Sequence, residues 1–118
     1  MGRAQPFAAT VNAPAPALIW CPFADEASAL PVVDRLLAEG LVACANILPP
    51  MRSLYIWQGK RGDERECAVL FKTNAALLDA AVARLDALHP YETPAAIGWV
   101  ADASAPGAAE WLGGLRLT

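Results

Sequence analysis

A long stretch of strand-forming residues in the middle of the chain limits most strongly how it can fold. The stretch covers residues 41–57 and has one interruption, the adjacent prolines Pro49 and Pro50. A central strand cannot hold two prolines, because each lacks the N–H that a β-ladder needs, so we expect either one strand kinked at its rim or two strands in sequence. The segment GKRGDE (59–64) then predicts a turn, and CAVLFKT (67–73) predicts a returning strand. The pattern therefore predicts a long central hairpin.

The part of the chain before the hairpin predicts one strand and one helix. Residues 17–23, ALIWCPF, form a short apolar run that is typical of a buried strand. The next segment has a single apolar stripe at helical spacing, and Ser28 is its predicted N-cap. That start places Pro31 in the first turn, where its missing N–H is tolerated. Gly40 is the predicted C′ residue, and Leu41 can fold back on the last turn.

The part after the hairpin repeats this alternation. Asn74 is predicted to begin a second amphipathic helix. The motif HPYETP (89–94) ends it, because a residue that precedes proline avoids the α region. Residues 95–101, AAIGWVA, predict a last strand, and residues 106–115 predict a short closing helix anchored by Trp111.

The order of these elements is β-α-β-β-α-β. It predicts an α+β domain with a ferredoxin-like antiparallel sheet, both helices on one face, a long central hairpin and a short C-terminal helix. Residues 1–16, which are rich in alanine and proline, are predicted to form a flexible leader, and residues 17–118 a single domain. This fold supports many unrelated functions, so the fold alone does not identify one.

Composition excludes some classes of partner. The net charge is −3, so no basic surface for nucleic acid or for an anionic membrane is expected. No apolar stretch approaches the roughly 20 residues that a membrane span needs, and no signal peptide is recognisable. The chain has 3 cysteines, at wide and irregular spacing. An odd number without CxxC pairs fits a reducing cytoplasm better than a disulfide framework, so a cytoplasmic location is expected.

Six segments between about Leu18 and Leu115 resemble one known family. They are ALIWCPFADEASA, LAEGLVACANILP, SLYIWQGK, LFKT, HPYETP and EWL. Their order and spacing are similar to those of the CutA family of divalent-cation tolerance proteins. The resemblance implies a tight homotrimer in which long hairpins pair edge to edge, an architecture similar to that of PII-type signalling proteins. It also implies binding of divalent metal, copper especially, and a role in metal tolerance and the response to metal ions.

The implied copper ligands are Cys21 and His89. A soft thiolate with an imidazole selects copper or zinc over magnesium or calcium. Two positions depart from the family pattern. Leu88 stands where some members have the first of two consecutive histidines, and Gln58 stands where a glutamate is common. Both changes weaken a pocket for a hard cation or a multi-histidine copper site.

Each implied ligand also has a purely structural interpretation. His89 is the single histidine of the chain, and at the end of a helix it can bond the last carbonyls and favour the helix dipole. Cys21 can be an inert core cysteine, since cysteine is among the most buried residue types. Cys44 is a weaker ligand candidate, because the third strand should separate it from Cys21. Cys67 is interpreted as structural.

A second group of residues matches family positions that line a cleft between subunits. It consists of Tyr55, Trp57, Lys72, Tyr91, Glu92 and Trp111. Aromatic rings with one cation and one carboxylate can hold a small polar ligand. The same residues can instead stabilise a trimer interface, where aromatic residues are enriched, and this second interpretation is favoured.

Three functions therefore stay open. The first is a cytoplasmic, trimeric, copper-binding tolerance protein that is not an enzyme. The second is a PII-like sensor that binds a small metabolite between subunits. The third is a structural trimer that serves as a scaffold. The chain offers no nucleophile elbow or oxyanion loop, so a catalytic Cys-His pair is not expected. The sequence identifies no protein partner.

Overall fold

The computed structural model describes residues 13–117. Within these residues, five strands and three helices follow one another. They are β1 (Pro16–Phe23), α1 (Glu26–Ala38), β2 (Cys44–Ile47), β3 (Met51–Trp57), β4 (Lys60–Asn74), α2 (Leu78–Leu88), β5 (Ile97–Val100) and α3 (Pro106–Gly113). The first strand begins at Pro16, inside the predicted leader, and the Ala15 carbonyl already accepts a hydrogen bond from the Ala75 N–H. Residues 1–12 of the predicted leader lie outside the described residues.

The five strands form one antiparallel sheet. Its order is β2-β4-β1-β5, and β3 pairs with the first half of β4. The ferredoxin-like α+β fold with a long central hairpin and a closing helix is therefore confirmed. Strand β4 lies between β1 and β2, with Cys21 opposite Val69 and Cys44 opposite Lys72. As predicted, Cys21 and Cys44 are not on adjacent strands.

The hairpin of β3 and β4 projects as an arm, and the molecule is 57 Å long but only 26 by 23 Å across. Pro49 and Pro50 separate β2 from β3, so the choice between one kinked strand and two strands is resolved in favour of two. Of the predicted turn over residues 59–64, only Gly59 lies in the turn, and the rest belongs to β4. Trp57 pairs directly with Lys60, which leaves a two-residue turn of Gln58 and Gly59. Both have positive φ, 51° and 77°, as a turn that matches the twist of two strands requires.

Helix α1 begins earlier than predicted. Asp25 is the N-cap, and its carboxylate accepts a hydrogen bond from the Ser28 N–H at 2.8 Å. Ser28 is thus the third helical residue and forms a capping box with Asp25, so its prediction as N-cap is wrong. Pro31 consequently lies inside the helix rather than in its first turn. The end of the helix is as predicted, since Gly40 has φ 72° and the Leu41 N–H donates to the Leu36 carbonyl.

Helix α2 begins later than predicted. Asn74 is the last residue of β4 and is fully buried. Its side-chain oxygen accepts hydrogen bonds from the N–H groups of Ala76 and Leu77, so it shapes the turn that leads into the helix. Its amide nitrogen donates to the Leu112 carbonyl at 2.9 Å. Asn74 therefore joins the end of β4 to both α2 and α3.

The core lies between one face of the sheet and the helices α1 and α2. Alternate residues of β1, including Ile19 and Phe23, are fully buried there, packed against Leu36 and Leu85. The intervening residues of β1 point to the other face, where large apolar side chains are half-buried or exposed. This second face carries Leu18, Trp20, Leu70, Ile97 and Trp99. Within residues 13–117, no helix has the length and apolar character to span a membrane.

Candidate functional site

The motif HPYETP forms the corner at the end of α2. The His89 N–H donates to the Leu85 carbonyl at 2.9 Å and makes the last hydrogen bond of the helix. The His89 backbone is already extended, with φ −67° and ψ 138°, because Pro90 excludes the α conformation there. The corner therefore turns the His89 side chain away from the helix and toward β1.

The His89 ring is buried, with 6% of the residue exposed, and both of its nitrogens are occupied. Nε2 lies 2.9 Å from the Pro22 carbonyl oxygen, and Nδ1 accepts a hydrogen bond from the Tyr91 N–H at 3.0 Å. The ring therefore carries its proton on Nε2 and is neutral. It stacks on Phe23 with a centroid distance of 4.2 Å. The ring bonds a carbonyl of β1 rather than the last carbonyls of its own helix, which differs from the structural interpretation made from sequence.

The environment of His89 favours its neutral form. Burial lowers its pKa, while the Pro22 carbonyl and the carboxylates of Glu66 and Asp86 oppose that shift. Protonation would place a second N–H on Nδ1, directly facing the Tyr91 N–H, and two donors cannot bond each other. His89 is therefore held as a neutral imidazole, the form in which histidine binds metals.

Cys21 lies in the middle of the core face of β1 and is fully buried. Its Sγ is 3.7 Å from the Pro22 carbonyl oxygen, the same atom that His89 Nε2 contacts. Burial first, and then the charges of Glu66 and Asp86, raise the pKa of the Cys21 thiol to about 12. The thiol is therefore protonated at neutral pH, whereas a metal ligand must be a thiolate.

The structure thus brings the two implied ligands together at one carbonyl oxygen. A thiol and an imidazole are the donor types that copper and zinc accept, so the pair fits such a metal in kind. Each donor is occupied by a hydrogen-bonded contact, and metal binding has to displace both contacts. Among residues 13–117, no group of three or more histidine, cysteine, aspartate or glutamate side chains is arranged to hold a metal ion.

The other two cysteines lie elsewhere. Cys44 is half-buried at the start of β2, and its Sγ lies 3.6 Å from the side-chain oxygen of Asn46. Cys67 is buried in β4, and its Sγ lies 3.8 Å from the Leu48 carbonyl oxygen. Burial raises the pKa of the Cys67 thiol. Neither contacts the carbonyl that joins Cys21 to His89.

Two tyrosines of the predicted cleft are brought together by two glutamates that the sequence analysis did not select. Tyr91 donates its hydroxyl to Glu66, and Tyr55 donates its hydroxyl to Glu64, each at 2.8 Å. The two glutamates are two positions apart on β4 and so share a face of the arm. Burial and the Glu66 carboxylate raise the pKa of Tyr91, and the bond to Glu64 raises that of Tyr55. Tyr91 therefore fastens the HPYETP corner to the base of the arm.

Within residues 13–117, no side-chain hydrogen bond or ion pair joins the remaining cleft residues to these two tyrosine–glutamate pairs. Trp57 is at the tip of the arm, and Trp111 lies on α3 with 53% of its surface exposed. Lys72 lies on β4 between Leu18 and Cys44, and Glu92 is exposed in the corner. No ion pair within residues 13–117 involves Lys72 or Glu92. One subunit therefore does not assemble the whole predicted cleft.

The two departures from the family pattern have clear places in the structure. Leu88, the first of these departures, is the last residue of α2 and packs against the hydrophobic core. Gln58 occupies the first position of the turn at the tip of the arm. It is far along the arm from the corner that holds His89. Neither residue supplies a donor near the Pro22 carbonyl.

Comparison with known proteins identifies the family of the chain. The family model described as CutA1 divalent ion tolerance protein matches residues 17–114. The divalent-cation tolerance protein CutA of Salmonella newport (strain SL254) is 38% identical over 84 residues, which cover 71% of this chain and 73% of that protein. The crystal structure of CutA from Xylella fastidiosa has a TM-score of 0.77 at 39% identity and covers 82% of this chain and 93% of its own. For CutA1 from Ehrlichia chaffeensis the TM-score is 0.78 at 29% identity, over 84% of this chain and 92% of the other. The chain belongs to the CutA1 divalent ion tolerance protein family.

Proposed function

We propose that this protein binds a soft or borderline metal ion, copper foremost, through Cys21 and His89, and serves divalent-cation tolerance in the cytoplasm. The supporting observation is the convergence of Cys21 Sγ and His89 Nε2 on the Pro22 carbonyl oxygen. The free state of all three cysteines is consistent with a reducing compartment. The proposed role is binding rather than catalysis, in keeping with a family described by ion tolerance.

Metal uptake requires the corner to open locally. The Cys21 thiol must lose its proton, and Nε2 of His89 must give up both its proton and its bond to the Pro22 carbonyl. The imidazole stays neutral if that proton is taken up on Nδ1, so the hydrogen bond from the Tyr91 N–H must break as well. Since the pKa of Cys21 is about 12, each bound metal releases close to one proton from this thiol at neutral pH. Apparent affinity should therefore fall as the pH is lowered, and uptake should be slower than at a preformed surface site.

We further propose that the working form is a homotrimer. The arm exposes several large apolar side chains, with Ile56 exposed to 78% and Leu54 to 54%. A long apolar edge strand is an aggregation hazard unless another strand or subunit covers it. Closed association of three copies removes such edges. The apolar second face of the sheet, where Trp99 is 45% exposed, offers further surface for the same assembly.

Native mass spectrometry with copper and zinc titrations tests both proposals. The variant His89→Gln removes the imidazole while its amide can still donate to the Pro22 carbonyl. Cys21→Ala removes the thiol, and Cys67→Ala is the matched control for loss of a buried cysteine. We expect a trimer that takes up one copper per subunit, with binding lost in the first two variants and kept in the third. Equal copper binding by all four proteins would refute Cys21 and His89 as ligands, and a monomer would refute the trimer.

A second candidate is a PII-like sensor that holds a small metabolite between subunits. The two tyrosine–glutamate bonds favour it, since they align polar groups from the arm and the corner on one side of the molecule. The variants Lys72→Ala and Glu92→Ala test it in a thermal-shift screen of anionic and zwitterionic metabolites. A ligand that stabilises the wild type but neither variant would support this function. If neither metals nor metabolites bind, the remaining function is that of a structural scaffold.

A further inference from the structure

A groove lies between α2 and the segment that leads from the HPYETP corner into β5. Its volume is about 400 Å³, within the range of small-molecule sites. Val82 and Ala83 form the helix side, and Pro94 and Ala96 form the opposite side. The last proline of HPYETP thus has a second role as a wall of this groove. The middle of the groove is apolar on both sides.

The groove also carries two carboxylates and lacks a cation among its lining residues. Asp79 and Asp86 are exposed along its length. Neither forms an ion pair with any residue in the range 13–117. Asp79 lies in the first turn of α2, where it also favours the helix dipole. Asp86 lies near the C-terminal end, where a negative charge opposes the dipole, so helix stability does not account for it.

The spacing of the two carboxylates defines the shape of a complementary ligand. Asp79 and Asp86 are separated by two helical turns, which is about 10.5 Å along the axis. An extended chain advances about 1.1–1.2 Å per bond, so roughly nine bonds cover this distance. A compact dication such as a metal ion cannot reach both carboxylates at once. A linear chain with a cation at each end and an apolar middle can.

We propose that this groove binds a linear aliphatic polyamine. One ammonium pairs with Asp79, the other pairs with Asp86, and the methylene chain lies along Val82 and Ala83. The argument for this occupant is charge complementarity at both ends, combined with an apolar middle. It does not depend on Cys21, on His89 or on metal binding.

Calorimetric titration of the full chain at low ionic strength tests the proposal, with 1,8-diaminooctane as the probe. This diamine separates its nitrogens by about nine bonds, and 1,4-diaminobutane by about five. Monocationic n-octylamine has the same carbon chain with one charge. Since an exposed ion pair is worth about 0.2–1 kcal/mol, we expect 1,8-diaminooctane to bind up to about fivefold more tightly than either comparison amine. Equal affinity for the three amines, or binding of a lysine-containing peptide without binding of the diamine, would overturn the proposal.

Surface variants locate the site. Asp79→Asn and Asp86→Asn should each weaken 1,8-diaminooctane binding by up to about fivefold, and the double variant should lose the preference for the longer diamine. Asp34→Asn is the matched control, because Asp34 is an exposed aspartate on α1 outside the groove. Ala83→Leu keeps all charges but fills the groove and should abolish binding. Affinities of the double variant and of Ala83→Leu equal to that of the wild type would refute the assigned site.

Discussion

The environment of His89 predicts that acid destabilises this protein well above the pH at which carboxylates titrate. Burial lowers the pKa of the folded His89, whereas the unfolded chain protonates its histidine near the ordinary value of about 6.5. Above that pH both states are neutral at this residue, and stability is at its full value. As the pH falls below about 6.5, the unfolded state binds a proton that the folded state does not bind, and the free energy of unfolding decreases. The loss ends once the pH passes below the folded pKa.

The size of the effect follows from the single histidine in the sequence. One proton per chain distinguishes the two states, so the limiting slope is about 1.4 kcal/mol per pH unit per chain. Glu39 and Asp63, whose carboxyls have lowered pKa values because of Arg84 and Arg52, act in a separate and more acidic window. In a trimer that unfolds cooperatively, three chains would contribute together.

Two measurements check this prediction. An NMR titration of the one imidazole gives its pKa directly, and we expect it below the ordinary histidine range. Denaturant unfolding between about pH 7.5 and pH 5.5 should show falling stability in the wild type and a flat profile in His89→Gln. A folded pKa at or above about 6.5, or the same slope in both proteins, would show that the hydrogen bonds to Pro22 and Tyr91 do not hold the ring neutral.

Other predictions concern residues that fix the arm and the elements around the core. Asn74→Ala should lower the free energy of unfolding by about 2–4 kcal/mol in denaturant titrations. The reason is that the Leu112 carbonyl and the Ala76 and Leu77 N–H groups lose their side-chain partner. An effect below 1 kcal/mol, roughly that of one ordinary hydrogen bond, would contradict that role. Gln58→Gly should raise the free energy of unfolding by about 1 kcal/mol, since a non-glycine residue at φ 51° is strained. Gln58→Ala keeps the strain and should show no gain in the same denaturant titration.

The fold was predictable because burial sets the pattern of apolar residues directly. The run at residues 17–23 alternates on a central strand, and the helical stripes face that strand. The sequence did not determine at which residues the helices and strands begin and end. Asn74 is a strong helix-start residue, yet it ends a strand, because an asparagine side chain can shape a turn in the same way that it caps a helix. At α1, Ser28 was predicted as the N-cap, but its reciprocal bond with Asp25 makes Asp25 the cap instead.

The candidate site was predictable only in part, because its contacts are distant in sequence. The chain pattern selected His89, but its partner Pro22 is 67 positions away, and only the assembled sheet brings them together. Glu64 and Glu66 were missed for a different reason. The sequence offers glycines at two places in the hairpin, and the position of the turn decides which residues of β4 share a face. Once Gln58 and Gly59 form the turn, Glu64 joins a strand instead of a loop.

The central position of β1 in the sheet has a consequence for the order of folding. This strand is the first of the described strands, yet its partners are β4 and β5, with Ala17 opposite Thr73 on one side and Val100 on the other. Both pairings are non-local, and such contacts form slowly because a long loop must close first. During synthesis the apolar β1 must therefore wait without a sheet partner until β4, which ends at Asn74, has emerged, and its other edge stays unpaired until β5 follows. For a nascent chain of this protein, we expect protection from aggregation to matter most in that interval.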